Sequence, residues 1–159
     1  MLNDHTYCCQ VSASMCANKE PPLDQEETCR TFNRHRIEMR ERDAKWFGTP
    51  LIISEFGACT SSQNCMNEIN SVVDACDEFL TSWAYWQFKT YMDITTSAGD
   101  TSEGFYEKNG TLQRNKAESL SRSYIKAAQG TTKTMLFDWH SYHFKGSFEF
   151  NSKVTEPTV

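Results

Sequence analysis

Pro50-Leu51-Ile52-Ile53-Ser54-Glu55-Phe56-Gly57 is an apolar, β-branched run opened by a proline and closed by a glycine, with one carboxylate near its end. Such a run predicts an inner strand of a parallel sheet. From Cys65 to Leu80, Met66, Ile69, Val73, Cys76 and Leu80 recur at helical spacing, and Thr81 to Lys89 follows as an aromatic strand. Strand, helix and strand make a βαβ unit, whose natural home is a parallel sheet. Upstream, Asp4 to Cys8 reads as another short strand, separated from Pro50 by a charged helix over about Gln25 to Phe47. His5 and Tyr7, then Glu55, then Trp86 therefore fall near the ends of three successive strands.

From about Thr131 the pattern changes to alternation: Met135, Phe137 and Trp139, then Phe144, Phe148 and Phe150. With Lys145-Gly146 as its turn, this predicts a hairpin. His140 and His143 then lie in an extended stretch on opposite faces, which fits a structural role better than a metal pair. His35 sits among charges on the long helix and is expected to be solvated. On that helix Arg34/Glu38 and Glu38/Arg42 have the spacing of a solvated, ion-paired outer face.

Composition narrows the function classes. A net charge of −5 argues against a nucleic-acid partner, because neutralising phosphates needs a basic face. A mean hydropathy of −0.63 argues against a membrane-embedded chain, while 38% hydrophobic residues suffice for a core. Seven cysteines in 159 residues point to an oxidising compartment, so residence outside the cell or in a lumen is expected. Cys59 and Cys65 bracket a short loop and could close a small ring, and Cys16 and Cys29 bracket the Pro21-Pro22 insertion. Connectivity stays open, and an odd count leaves one thiol unpaired or paired elsewhere. No pair has the spacing of a zinc or redox site. Asn109-Gly110-Thr111 is an N-glycosylation acceptor that agrees with the same compartment.

On pattern alone Glu55 fits a chemical role or a structural one, paired with a buried arginine or capping a turn. By the same standard Tyr7 and Trp86 read as a buried tyrosine with a satisfied hydroxyl and a core tryptophan. Four ordered segments change that weighting. His5-Thr6-Tyr7-Cys8, the Ile53 to Gly57 strand end with its Ser-Glu-Phe-Gly, Ser82-Trp83-Ala84-Tyr85-Trp86, and the Gly104 to Gly130 run together resemble the retaining β-glycosidases of glycoside hydrolase family 5, endoglycoceramidase-like subgroup. The last of these contains Gly104-Phe105-Tyr106 and Leu120-Ser121-Arg122-Ser123-Tyr124.

The resemblance implies an α/β fold, the C-terminal part of a (β/α)8 barrel comprising strands six to eight over residues 1–130. An incomplete C-terminal β-sandwich would follow over residues 131–159. Such a barrel takes about 250 residues, and Met1 opens into the sixth strand without a signal peptide. The chain is therefore expected to be a fragment of a larger enzyme or an incomplete gene product. Glu55 is implied as the nucleophile, Tyr7 as the hydroxyl that orients it and favours its ionised form, His5 as a partner beside the same subsite, and Trp86 as the apolar floor under the sugar. The family's general acid lies in an Asn-Glu-Pro motif that is not matched here. Asn18-Lys19-Glu20-Pro21 interrupts the pair, and Glu20 is not assigned that role.

The implied substrate is a glycosphingolipid or another oligosaccharide glycoside, with lipid contact through the substrate, no cofactor and no protein partner. Isolated, the chain is expected to be inactive. Two alternatives remain: an endo-β-1,4-glucanase-like member of the family, and a non-catalytic, disulfide-stapled secreted binding module.

Overall fold

The computed structural model describes residues 1–16, 21–89 and 103–159. Strands β1 (Leu2–His5), β2 (Leu51–Glu55) and β3 (Ser82–Trp83) form a parallel sheet in that order. Helix α1 (Glu26–Trp46) joins β1 to β2, and α2 (Gln63–Glu78) joins β2 to β3. A short α3 (Arg114–Leu120) follows, and then an antiparallel pair, β4 (Gly130–Asp138) with β5 (His143–Phe150).

The apolar strand folds where the pattern puts it because Leu51 and Ile53 point to the helices. They meet Ile37 and Ala44 of α1 and Met66, Ile69, Val72, Val73 and Cys76 of α2 in one buried cluster. The two helices have different environments. Helix α1 keeps one charged face in water, where Arg34 pairs with Glu38 and reaches across to Glu78 of α2, while Arg42 turns to the Met39 sulfur instead of Glu38. His35 is exposed. Helix α2 is buried on nearly all sides, with α1 on one flank and α3 and β4 on the other.

Burying α2 draws polar groups inside, and each is matched. Glu68 accepts the Cys8 backbone N–H at 2.7 Å and the Asn33 Nδ2 at 3.4 Å. Asn33, itself fully buried, donates to Ser71 Oγ at 2.8 Å and accepts the Thr6 hydroxyl at 2.7 Å. At the far end of α2, Arg122 is only 3% exposed and forks onto Asp77 at 2.8 and 3.1 Å, with Asp74 at 2.7 Å. The same guanidinium donates to the Phe137 carbonyl at 2.8 Å and lies over the Phe137 ring, which ties the hairpin to α2.

Five sequence expectations need correction. The first strand begins and ends earlier than Asp4–Cys8, because Thr6 and Cys8 turn inward to Asn33 and Glu68 and residues Cys8–Gln10 wind into a 3-10 turn. The third strand has two ladder residues only, and pairing resumes at an isolated bridge between Gly57 and Trp86. Cys29 is bonded to Cys8 and not to Cys16, whereas Cys59 is bonded to Cys65 as expected. Cys76 is buried and free, and burial pushes its thiol pKa up.

The hairpin turn lies at residues 139–142, before Lys145-Gly146. Asp138 draws it closed by accepting the His140 N–H at 2.9 Å and the Ser141 hydroxyl at 2.6 Å, and Tyr142 takes a φ of 57°. His140 consequently stacks on Trp139 in the turn instead of extending with His143, which opens β5. Gly146 is a ladder residue opposite Met135, where a Cβ would come within 2.8 Å of Ile125. Among the described residues one cluster has metal-ligand composition, Cys8, Cys29 and Glu68, but its two sulfurs are spent on each other.

Two stability predictions follow from α2. Replacing Arg122 with leucine leaves Asp77 buried without its counter-charge, at a cost of about 3–5 kcal/mol. Urea unfolding monitored by fluorescence checks it, and a loss below about 1 kcal/mol would mean that the ion cluster does not hold the hairpin. Burial raises the pKa of Glu68 above its ordinary value of 4.5, against the opposing hydrogen bonds from Cys8 and Asn33. The native state then holds the Glu68 proton more tightly than the unfolded chain, so stability is fullest below that value and falls as pH rises through the raised one. The unfolding free energy of Glu68→Gln should decline less over this window. Parallel curves for the two proteins would contradict the assignment.

Candidate active site

The alternation of side chains around Tyr7 is what builds the site. Thr6 and Cys8 both face the helices, the first held by Asn33, the second by Glu68 and the disulfide to Cys29. The Thr6 N–H donates to the Glu55 carbonyl at 3.1 Å, extending the β1–β2 pairing by one residue. Tyr7, between two inward residues, is left facing the opposite way, toward the end of β2. Its hydroxyl donates to Glu55 Oε1 at 2.5 Å, a short charge-assisted bond. Burial first, and then the bond to Glu55 and the nearby negative charges of Glu55 and Glu103, raise the Tyr7 pKa far above the phenol range. The phenol proton stays on Tyr7, and Tyr7 acts as a permanent donor.

His5 lies on the other side of the carboxylate. Its Nδ1 is 3.6 Å from Glu55 Oε2, beyond a direct hydrogen bond, and nearly half of its side chain is exposed. The Glu55 side chain is 27% exposed, with the Tyr7 hydroxyl on one carboxylate oxygen and His5 near the other. This is the carboxyl edge of a parallel sheet, where α/β folds place their ligand sites.

Trp86 is fixed at the same edge by its backbone. Its N–H donates to the Phe56 carbonyl, and its own carbonyl accepts the Ala58 N–H, both at 3.0 Å. The Trp86 side chain is half-buried. Between them, Gly57 has a φ of 96°, and a Cβ there would lie 2.2 Å from the Tyr85 ring. Glycine is therefore required twice, by conformation and by close approach. Tyr85 packs edge-on against Phe56 and Phe105 and donates its hydroxyl to the Glu103 carbonyl at 2.8 Å.

The structure thus brings Tyr7 and His5 onto Glu55 and sets Trp86 one bridge beyond it. Glu20 lies outside the described residues. Sequence reasoning missed Asn33 and Glu68, although a signal existed: Asn33 continues the buried Cys29–Ile37 stripe of α1, and Glu68 lies on the inner side of α2. A polar residue on an apolar stripe marks a buried hydrogen-bond partner. It missed Lys116 too, a fully buried lysine of α3 whose Nζ donates to the Cys59 carbonyl at 2.9 Å. Arg122, in the Leu-Ser-Arg-x-Tyr segment that contributes to the resemblance, holds α2 to the hairpin.

No family model matches the chain. An endoglycoceramidase of Cyanea nozakii is 24% identical over 118 residues, covering 74% of this chain and 24% of that protein. Endo-glycoceramidase II from Rhodococcus sp., in its ganglioside GM3 complex, superposes with a TM-score of 0.62 and 19% identity over 97% of this chain and 31% of that one. Its lactosyl-enzyme intermediate gives a TM-score of 0.53 and 22% identity over 74% of this chain and 24% of that one. The chain therefore spans less than a third of the length of these relatives. Over that span the chain shares the α/β fold of the Rhodococcus structures and is similar in sequence to an endoglycoceramidase, the relationship that the ordered motifs imply.

Proposed function

We propose that this chain carries the nucleophile half of a retaining β-glycosidase that cleaves the bond between a glycan and ceramide. The observation that carries the proposal is the Tyr7 hydroxyl held 2.5 Å from Glu55 at the carboxyl edge of a parallel sheet. In this reading β1, β2 and β3 are strands six to eight of a (β/α)8 barrel over residues 1–130, and β4–β5 begin a β-sandwich over residues 131–159. Tyr7 occupies Oε1 and leaves Oε2 to attack the anomeric carbon. The C–O bond to the leaving group breaks as the Glu55–sugar bond forms, and the leaving oxygen takes a proton from a second carboxylic acid. Water then displaces the sugar from Glu55 with retention. Trp86 offers its ring to the C–H face of the sugar, and His5 hydrogen-bonds a hydroxyl in the same subsite.

The second acid is supplied by a segment other than those that form the described site. A ceramide alkoxide leaves poorly without that proton, and positioned acids contribute factors of about 10² to 10⁴. The chain by itself is therefore inactive on glycosphingolipids. The glycolipid substrate is supported by the relatives' names and by the GM3 bound to one of them. Contact with a lipid surface would come through the substrate, since no helix among the described residues is long and apolar enough to cross a membrane.

An activated 2-deoxy-2-fluoro-β-lactoside needs no acid, because its leaving group departs unprotonated. Incubated with the chain, it should add one fluorosugar to the Glu55 peptide by mass spectrometry, and Glu55→Gln should remain unlabelled. Tyr7→Phe should slow labelling about 10²-fold through lost aim. Sugar binding without any adduct would favour the non-catalytic module, and an adduct on another residue would overturn the nucleophile. Preference for a cellobioside over a lactoside probe would favour the glucanase-like reading.

A secreted or lumenal location is proposed on the Cys8–Cys29 and Cys59–Cys65 disulfides and the exposed Asn109 turn, in which Asn109 Oδ1 accepts the Thr111 N–H at 2.9 Å. Expressed through a secretory pathway, the chain should carry a glycan that is removed by amidase and lost in Asn109→Gln. Denatured without reductant, it should leave Cys59 and Cys65 unlabelled by thiol reagents while Cys76 reacts. Labelling of every cysteine would contradict an oxidised compartment.

A further inference from the structure

Glu55 is held from upstream by Tyr7, but the turn that follows it needs its own support. Gly57 and Ala58 both have positive φ, 96° and 51°, and Ala58 carries a Cβ in a region that such residues rarely occupy. A conformation of this kind persists only where its surroundings over-determine it. The Ala58 N–H is held by the Trp86 carbonyl, and the next residue, Cys59, is closed into a small ring with Cys65.

Behind that ring stands Lys116. Its side chain is fully buried, and its Nζ donates to the carbonyls of Cys59 at 2.9 Å, Gly104 at 3.2 Å and Glu103 at 3.4 Å. The three carbonyls belong to two separate segments, the loop after β2 and the return at residues 103–105. The Glu103 carbonyl also accepts the Tyr85 hydroxyl, and the Tyr85 ring fills the space that a side chain at Gly57 would need. Lys116 Nζ lies 5.9 Å from that ring's centre. One amino group thus joins the turn after Glu55 to the segment that presses Tyr85 against it.

We infer that Lys116 is a positioning residue for Glu55. By clamping Cys59 to Glu103 and Gly104 it fixes the Gly57–Ala58 turn and, through it, the angle at which the Glu55 carboxylate leaves β2. The inference rests on Glu55 being the nucleophile. It is distinct from Tyr7, which grips the carboxylate itself, whereas Lys116 grips the backbone that carries it.

The test is Lys116→Ala, followed with the same activated fluorolactoside. The labelling rate at saturating probe should fall about tenfold or more while the half-saturating concentration stays within about threefold, because aim is lost and binding is not. Ethylammonium, which can occupy the vacated site and donate to the carbonyls, should restore the rate. Tetramethylammonium at equal ionic strength has no N–H and should not. Amide exchange at Ala58 should accelerate about tenfold in the variant, independently of any sugar.

Labelling of wild type and variant at equal rates would overturn the positioning role and leave the nucleophile intact. If wild type takes no label, the nucleophile reading fails, and unchanged exchange at Ala58 would overturn the clamp as well. Should Lys116→Ala not fold, Tyr85→Phe removes only the hydroxyl that shares the Glu103 carbonyl, and labelling is expected to slow about threefold. An unchanged rate there would count against the clamp.

Discussion

A buried carboxylate accepting one backbone N–H is the contact on which the site depends. Glu68 sits inside α2 at an energetic cost, since burial disfavours its charge. Against that cost it fixes Cys8 at 2.7 Å, and Asn33 beside it fixes Thr6 at the same distance. With both neighbours turned to the helices, Tyr7 has one direction left, and that direction ends on Glu55. A hydrophobic residue at position 68 would lower the desolvation cost and leave the Cys8 N–H without a partner. The turn would then be held at Cys8 by the Cys29 disulfide alone. Buried polar groups of this kind set geometry more than they add stability.

Helix α2 carries this duty at one end and a different one at the other. Glu68 holds Cys8 at the carboxyl edge of the sheet beside the candidate site, while Asp74 and Asp77 hold Arg122 and with it the hairpin. Both pairings cross from one helix to a segment remote in sequence, so α2 works as a common base plate. Part of the resemblance to the endoglycoceramidases lies in Leu120 to Tyr124, and its arginine is a packing device. In this chain the segment docks the β-hairpin on α2. Glu55, Tyr7, His5 and Trp86, the residues proposed to meet a substrate, lie at the carboxyl edge of the sheet.

What was legible in the sequence was the part governed by periodicity and by local closure. The β2 strand and α2 emerged from apolar spacing, because burial against one core imposes it, while α1 was read from its charge pattern. The Cys59–Cys65 ring was legible because six residues of separation leave little else for the pair to do. Glu55 and Tyr7 were legible through motif order, and so was the contact between them, whereas what turns Tyr7 that way was not, since it depends on Thr6 and Cys8 facing inward. The Cys8–Cys29 bond escaped because its partners meet only after α1 packs beside α2. The hairpin turn was misplaced for a similar reason. Gly146 looks like a turn residue, yet it is small because Ile125 and Phe144 crowd it, while the real turn is closed by the Asp138 side chain.

The central claim is that Tyr7 acts on Glu55 only because Glu68 and Asn33 aim it, and a double-mutant cycle on the rate of fluorosugar attachment to Glu55 tests it most directly. The cycle compares wild type, Glu68→Ala, Tyr7→Phe and the double variant. If the aim comes from Glu68, removing it once the Tyr7 hydroxyl is gone costs nothing further, and the double variant labels as fast as Tyr7→Phe alone. Independent, multiplying losses in the double variant would contradict the account and leave Tyr7 aimed by something other than the buried carboxylate.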